Sequence, residues 1–163
     1  MKFDPYDVSK REEKGDVVYR HNKTGKIHRV GGPAVIRKNG DRRWYQHGVL
    51  HRGGDLPARL DTDGQTSWWH HGHLHREGDK PALMYPSGDM SFWKNGILHR
   101  EGNKPAQIGA DGFMAWMKNG NFHRDGDKPA VIHANGREEY WKNGVQHNKP
   151  KKQKEKHYGI RSL

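Results

Sequence analysis

The dipeptide Pro-Ala recurs with a constant 24-residue period, and this spacing constrains the fold more than any other feature of the sequence. His-Arg pairs follow the same period, apart from the step between His28 and His51, which is one position shorter. Glycines and aromatic residues keep the same register. A fixed period of this size predicts a tandem-repeat architecture of about five units. The Pro-Ala pairs begin at Pro33, Pro57, Pro81, Pro105 and Pro129.

Within each unit, turn signals separate short extended stretches. A few apolar residues follow Pro-Ala and lead into a pair such as Asp63-Gly64, which tolerates the positive φ angles of two-residue hairpin turns. A second stretch carries an aromatic pair, and a second turn such as Asn95-Gly96 leads to a third short extended piece. No segment has a sustained helical periodicity. We therefore expect an all-β chain of tandem 24-residue β-hairpin repeats, each with a trailing loop.

The sequence offers few aliphatic residues from which to build a core. Leu, Ile, Val and Phe account for 25 of the 163 residues, whereas there are six Trp and six Tyr. A single hairpin is marginal in water, so the units must stack. Since one large ring buries roughly 150–250 Å², we expect ring-on-ring contacts between units to replace a conventional apolar interior.

The repeat pattern sets the expected domain boundaries. We assign residues 17–147 to the repeat domain and residues 1–16 to a polar N-terminal cap. Residues 148–163 contain six Lys and Arg against one Glu, which is five of the net charge of +11. Such a composition predicts a basic disordered tail.

Several classes of protein are excluded or disfavoured by composition. The chain has no cysteine, which excludes disulfide scaffolds, thiolate zinc sites and cysteine nucleophiles. No apolar stretch approaches the roughly 20 residues of a membrane helix, so we expect no membrane association. The opening segment MKFDPYDVSKREEKGD lacks the apolar middle region of a secretory signal, and we expect a cytoplasmic protein.

The segments FWKNGILHREGNKPA and YWKNGVQH resemble the MORN-variant β-hairpin repeats of bacterial, bacteriophage and giant-virus proteins. The resemblance covers roughly residues 17–147. It implies an elongated, twisted antiparallel sheet and a binding or scaffolding role rather than catalysis. The standard MORN pattern has more glycines and lacks the His-Arg pair, so its lipid association is not carried over to this chain.

Strand alternation sorts the repeated positions onto two faces. Leu50, Leu74 and Leu98 favour the packed face, and the arginine two positions after each leucine shares that face. We expect these arginines to pair with aspartates in the loops that follow them. The arginines are Arg52, Arg76, Arg100 and Arg124, the last of which follows Phe122 instead of a leucine, and their expected partners are Asp55, Asp79 and Asp127, with Asn103 at the position after Arg100. An arginine ladder that binds anions is the alternative.

The histidines of the His-Arg pairs take the opposite face and form a more exposed column. A neutral imidazole can hydrogen-bond a backbone carbonyl at every loop, which would make this column structural. The alternative is a ladder that faces a repetitive partner and becomes cationic below about pH 6.5. Its candidate binding residues are His51, His75, His99 and His123.

Lysines recur in the same register. Lys94, Lys118 and Lys142 form one column, and further lysines precede the prolines. These positions suit solvated turns, but with neighbouring aromatic residues they also resemble an electrostatic footprint for phosphates. The tail lysines Lys151, Lys152 and Lys154 extend this candidate nucleic-acid-binding set.

The segment HHGHLH at residues 70–75 is the densest histidine cluster. Alternate positions on one strand would offer His71, His73 and His75 to a metal ion, with zinc favoured. The intervening turn at Gly72 works against this geometry, and drift within a histidine-rich repeat explains the cluster equally well. We expect neither a functional metal site nor a cofactor.

These features predict a non-catalytic repeat scaffold that binds an anionic partner, nucleic acid or a nucleotide. The alternative is a protein-binding module, such as a phage inhibitor of a host enzyme or defence factor. This alternative rests on the frequent occurrence of similar repeats in phage proteins. Five similar copies of a motif do not make the single constellation that catalysis needs. The unpaired edge strands would allow a homodimer to form by edge pairing.

Overall fold

The computed structural model describes residues 4–150, which form strands and turns and no helix. The expected all-β hairpin architecture is confirmed, while the number of repeats stays a prediction. Within this range no helix has the length and apolar character of a membrane span. In chain order the strands are β1 (Val8–Glu13), β2 (Asp16–His21), β3 (Val35–Ile36), β4 (Arg42–Arg43), β5 (Tyr45–Gln46), β6 (Val49–Leu50), β7 (Arg59–Leu60), β8 (Thr66–Ser67), β9 (Trp69–His70), β10 (His73–Leu74), β11 (Leu83–Met84), β12 (Met90–Ser91), β13 (Trp93–Lys94), β14 (Ile97–Leu98), β15 (Gln107–Ile108), β16 (Met114–Ala115), β17 (Met117–Lys118), β18 (Asn121–Phe122), β19 (Val131–Ile132), β20 (Glu138–Lys142) and β21 (Val145–His147).

One antiparallel sheet of 13 strands runs through the described part of the chain, in the order β1-β2-β3-β4-β7-β8-β11-β12-β15-β16-β19-β20-β21. Four separate two-stranded hairpins, β5–β6, β9–β10, β13–β14 and β17–β18, branch from it at regular intervals. Each unit up to the one that begins at Pro105 thus contributes two hairpins, one inside the large sheet and one beside it, whereas in the last unit β20 pairs with both β19 and β21 inside the large sheet. The sequence predicts only one hairpin with a trailing loop.

The first aromatic residue of each unit separates the two hairpins. The backbone N–H of Trp68 donates to the carbonyl of Ala82 in the next unit (2.8 Å), which keeps it in the large sheet. The carbonyl of Trp68 accepts instead from the N–H of His75 (3.1 Å), which belongs to its own second hairpin. The two backbone groups of one residue therefore serve two different partners, and the stretch expected to be a single strand is divided there.

The two turns of each unit differ in type. The second turn is a two-residue turn with positive φ at both positions, for example Asn95 (52°) and Gly96 (79°), as the sequence predicts. The first turn is a three-residue loop closed by a hydrogen bond from Asp61 N–H to the Gln65 carbonyl, and only Gly64 has a positive φ (91°). This matches a type I turn followed by a glycine bulge.

The innermost positions are occupied by the alanines of the Pro-Ala pairs, each with no exposed surface: Ala34, Ala58, Ala82, Ala106 and Ala130. A second set forms a cross-strand row through the register of the large sheet. This cross-strand row consists of Val35, Arg43, Arg59, Ser67, Leu83, Ser91, Gln107, Ala115, Val131 and Glu139. Trp93 lies against this row, where its indole N–H donates to the Ser91 hydroxyl (2.7 Å).

The N-terminal segment is more than a polar cap, because residues 8–13 form β1, which pairs with β2 along its whole length. At the other end, His147 and Lys149 contact Asn148 and Glu138, and the description stops at Pro150. The expected disorder of the tail falls mainly on residues 151–163, which lie outside the described range together with Lys151, Lys152 and Lys154.

Candidate functional site

The arginine of each His-Arg pair stacks on the first aromatic ring of its own unit. The guanidinium carbon of Arg76 lies 3.7 Å from the ring centroid of Trp68, and its Nη1 donates to the Pro81 carbonyl (3.2 Å). The same two contacts, one with an aromatic ring and one with the carbonyl of the following proline, recur for the other arginines of these pairs. The stacked pairs are Arg29 on Tyr19, Arg52 on Trp44, Arg100 on Phe92 and Arg124 on Trp116. The expected ring-on-ring contacts are thus replaced at these rings by cation–π stacking, which covers a ring face and positions the charge at once.

The aspartate partners of these arginines lie in the preceding loop, not in the following one. Arg76 Nε donates to Asp55 (2.7 Å), and Arg100 Nε donates to Asp79 (2.6 Å). Lys80 and Lys104 reach the same two carboxylates at 2.6 Å. The expected pairs Arg52–Asp55 and Arg76–Asp79 are therefore wrong, because a carboxylate faces the neighbouring unit across the sheet rather than its own loop. Each ion pair joins two units.

These contacts change the protonation of the two aspartates. Hydrogen bonds from Arg76 and then Lys80 lower the pKa of Asp55 to about 2, and Arg100 and Lys104 do the same for Asp79. At the next junction Asn103 replaces the aspartate, and Arg124 Nε donates to its side-chain oxygen at 3.3 Å. Arg124 thus contacts Asn103 rather than the expected Asp127.

The loop histidines also join neighbouring units, because each accepts a backbone N–H group through Nδ1, and His28 in addition donates through Nε2 to the Pro5 carbonyl (3.1 Å). Nδ1 of His75 accepts from the N–H of Asn95 (3.1 Å), the first residue of the next unit's second turn. The same bond recurs at 3.1–3.2 Å for His28, His51, His99 and His123. An Nδ1 that accepts carries no proton, so the proton of each neutral ring lies on Nε2.

Two of these histidines differ electrostatically from the other three. Nε2 of His75, His99 and His123 donates to Glu77, Glu101 and Asp125 at 2.8–2.9 Å. Burial is the main cause that lowers the pKa of His28, and the nearby His47 is the second. Burial, followed by His71 and His70, lowers the pKa of His51. The four candidate histidines therefore hold turns in place through Nδ1, as their structural interpretation requires, and their contact with a partner stays a prediction.

The lysine column lies among carboxylates. Lys94 Nζ is 3.7 Å from Glu101, and Lys118 and Lys142 are close enough to Asp125 to help lower its pKa, after the hydrogen bond from His123. The carboxylates Glu101 and Asp125 are themselves 76% and 70% exposed. Residues 54–147 contain eleven Lys and Arg against twelve Asp and Glu. The repeated lysines thus face an almost balanced surface.

Exposed positive charge that is not balanced by exposed carboxylates is concentrated at the N-terminal end of the sheet. Between residues 10 and 42 eight Lys and Arg side chains are exposed, and Glu12 is the single exposed acidic residue. We name these eight the N-terminal basic surface: Lys10, Arg11, Lys14, Lys23, Lys26, Arg37, Lys38 and Arg42. The repeat pattern conceals this surface, because its residues occupy no repeated column. A charge count by segment finds it, since residues 1–53 have thirteen Lys and Arg against six Asp and Glu.

Apart from the exposed Glu12, the acidic residues between residues 10 and 42 bind internal donors, although Arg11 lies near enough to Glu13 to help lower its pKa after Arg20. Glu13 pairs with Arg20 (2.7 Å), and Asp16 accepts the backbone N–H of Lys38 (2.9 Å). Asp41 is buried and accepts the backbone N–H of Thr62, which, with further hydrogen bonds and Arg43, lowers its pKa to about 2. The carboxylates therefore stabilise the fold here while the lysines and arginines remain in solvent.

The histidine cluster is assembled differently from the expectation. His51, His70 and His71 offer one ligand atom each within 4.8 Å of one another. The candidate set of alternate residues on one strand, His71, His73 and His75, does not form this group, because the turn at His71 and Gly72 reverses the chain. His75 is engaged by Glu77 and by the N–H of Asn95.

No family model, curated protein or solved structure matches this chain.

Proposed function

We propose that this protein is a non-catalytic repeat scaffold that binds a polyanion, specifically nucleic acid, through the N-terminal basic surface. The observation that supports this proposal is the segregation of charge: between residues 10 and 42, at one end of the sheet, eight exposed cations stand beside one exposed carboxylate. The remainder of the repeat array is close to neutral. Phosphate contacts from Lys and Arg supply most of the sequence-independent affinity for nucleic acid.

The placement of the cations suits an extended ligand. Lys10 and Arg11 lie on β1, the edge strand of the large sheet, and Lys14 begins its turn. The backbone N–H of Lys38 binds Asp16, which brings the turn at residues 37–41 next to the β1–β2 turn. Cations thus continue from the edge strand across two adjacent turns, as a backbone-tracking surface requires.

A nucleotide is a less suitable ligand than a polymer. The hollow of about 200 Å³ between successive loops is lined by four Lys and Arg side chains and by three carboxylates, those of Glu77, Asp79 and Glu101. Because Arg76, Lys80 and Arg100 are already ion-paired with Asp55 or Asp79, little positive charge is left there for a phosphate. The basic tail adds positive charge without requiring a pocket, since residues 148–163 carry six Lys and Arg against one Glu.

The test is a salt titration of binding to a fluorescent 30-nucleotide single strand and to its duplex, followed by anisotropy. The triple variant K10Q/R11Q/K14Q removes three exposed charges, and K94Q/K118Q/K142Q is a matched control that removes three charges from the balanced surface. We expect the first variant to reduce the slope of log affinity against log salt by about 2–3. The control should change the slope by less than about 1.

Removal of residues 148–163 should weaken binding further in the same assay. Binding that is absent or insensitive to salt would overturn the proposed function. Equal effects of the two triple variants would overturn the assignment to the N-terminal basic surface. Recovery of one stoichiometric protein from the native host, unchanged by nuclease, would favour the protein-binding alternative.

A further inference from the structure

We infer that His51, His70 and His71 form a binding site for a divalent transition-metal ion, with Zn²⁺ as the favoured ion. This inference is independent of nucleic-acid binding. The site would join two consecutive units, because His51 lies in the loop of one unit and His70 and His71 lie in the second hairpin of the next.

The three rings already lie close together. Ring centroids are 4.9 Å apart for His51 and His70, 4.6 Å for His51 and His71, and 4.3 Å for His70 and His71. Their ligand atoms are within 4.8 Å of one another. Tetrahedral zinc, with Zn–N bonds of about 2.0–2.1 Å, holds its nitrogens about 3.3 Å apart. His70 and His71 are exposed, so their side chains can rotate to close the remaining distance.

His51 keeps a ring nitrogen for a metal. Its Nδ1 accepts the backbone N–H of His71 (3.2 Å). Two positions after His75 and His99 the chain has Glu77 and Glu101, but two positions after His51 it has Gly53, which offers no carboxylate. Among the described residues Nε2 of His51 has no hydrogen-bond partner, whereas Nε2 of His75 and His99 binds a carboxylate. Coordination through Nε2 moves the ring proton to Nδ1, and the zinc–nitrogen bond then replaces the hydrogen bond from His71.

The neighbouring junctions do not provide a third imidazole in this arrangement. The positions of His70 and His71 are occupied by Gln46 and His47 in the preceding unit and by Lys94 and Asn95 in the following one. Three imidazoles suit zinc, nickel and copper, and imidazole with an open fourth position is the ligand pattern of zinc sites that accept an exogenous ligand. The site is therefore specific to one junction of the array.

The test is calorimetric titration of the full chain, without a histidine tag, with ZnCl₂ at pH 7.5, repeated with Co²⁺ to record its visible absorption. We expect one equivalent of Zn²⁺ to bind and the Co²⁺ spectrum to show tetrahedral nitrogen coordination. His70→Asn and His71→Asn should each weaken binding by at least about tenfold, because each removes one of three ligands. His51→Asn also loses an inter-unit hydrogen bond, so the two exposed positions serve as the main variants.

His73→Asn is the matched control. His73 lies opposite His70 on the same hairpin and is also exposed, but it is outside the three-histidine group. Its substitution should leave affinity within about twofold of the unmodified chain. Absence of binding at about 1 mM Zn²⁺ would overturn the inference. A loss in His73→Asn equal to that in His70→Asn would overturn it as well, since a different set of ligands would then hold the ion.

Discussion

The loop histidines at the two ends of the repeat array make the same backbone contact but have different neighbouring side chains. At every junction a loop histidine accepts a backbone N–H from the next unit through Nδ1. Toward the N-terminus the rings of His28 and His51 contact other imidazoles, at centroid distances of 4.8 Å to His47 and 4.6 Å to His71. Toward the C-terminus Nε2 of the histidine binds a carboxylate, as in the pair His99–Glu101 (2.9 Å). The backbone contact is constant while its electrostatic surroundings change.

The cross-strand row shows the same difference. Arg43 is 6% exposed and lies 3.3 Å from Asp41 and 2.5 Å from Asp61. At the equivalent register two units later, Ser91 simply accepts the indole N–H of Trp93 (2.7 Å). The N-terminal end therefore uses its carboxylates internally, and within residues 4–150 no ion pair involves the eight cations of the N-terminal basic surface.

Replacement of Arg43 should have the largest effect on stability. Arg43→Met leaves the buried carboxylate of Asp41 without a cation, while Asp61 keeps Arg59, and breaking a buried ion pair costs about 3–5 kcal/mol. Ser91→Ala, at the equivalent register, removes one hydrogen bond and should cost about 1 kcal/mol. Urea unfolding followed by circular dichroism and tryptophan fluorescence measures both. Equal losses would mean that the two ends do not differ in this way.

Mild acid should weaken the N-terminal end through His28. Its pKa is lowered in the folded chain by burial and by the nearby His47, so the unfolded chain binds more protons below about pH 6.5. The stability that neutral His28 contributes is therefore complete above that pH and is lost as the pH falls toward the folded-state pKa. Each such proton contributes a slope of at most about 1.4 kcal/mol per pH unit.

Unfolding free energies at pH 7, 6 and 5 test this expectation, with His28→Gln as the variant that should flatten the dependence. The ion pairs of Asp55 and Asp79, in the middle of the array, respond in a different range. Asp55 and Asp79 have pKa values of about 2, below their ordinary value near 3.8, so their contribution is lost only as the pH falls from about 4 toward 2. An unchanged slope between pH 7 and 5 in His28→Gln would contradict the role assigned to His28.

The smallest expected effect is a gain. Asn103 has the same backbone conformation as Asp55 and Asp79, with φ of 54°, and it already accepts from Arg124. Asn103→Asp should restore the ion pair of the earlier junctions and stabilise the chain by about 0.2–1 kcal/mol. The gain should disappear at about 1 M NaCl, where the Debye length is near 3 Å. A gain that is independent of salt would indicate a different cause.

The sequence predicts the β-hairpin character and the repeated columns well because both follow from local chemistry. The turn at Asn95-Gly96 is recognisable since both residues tolerate positive φ. The turn at Asp63-Gly64 is misassigned because a glycine ends both a two-residue turn and a three-residue loop with a bulge. Turn length depends on strand pairing, which residue identity alone does not define.

The candidate site is harder to predict because its contacts run across units. Asp55 is three positions from Arg52 but binds Arg76, 21 residues away, and sequence distance favours the wrong partner. The loop histidines look like a ladder in the sequence, whereas their acceptor bonds to backbone N–H groups require the neighbouring turn to be positioned. The N-terminal basic surface escapes a search for repeated residues because it is not repeated.

The division of each unit at its first aromatic residue has a consequence for how the gene can change. The backbone N–H of Trp68 donates to the Ala82 carbonyl, and that of Phe92 donates in the same way to the Ala106 carbonyl. If exactly one period of 24 residues were deleted, the aromatic residue of one unit would therefore meet an equivalent alanine carbonyl. A deletion that misses the period by a single position within a strand would turn every inward side chain outward. The one-position shortening near Gly31 falls in a loop instead and leaves the ladder intact. Recombination between units can thus lengthen or shorten the array in complete periods.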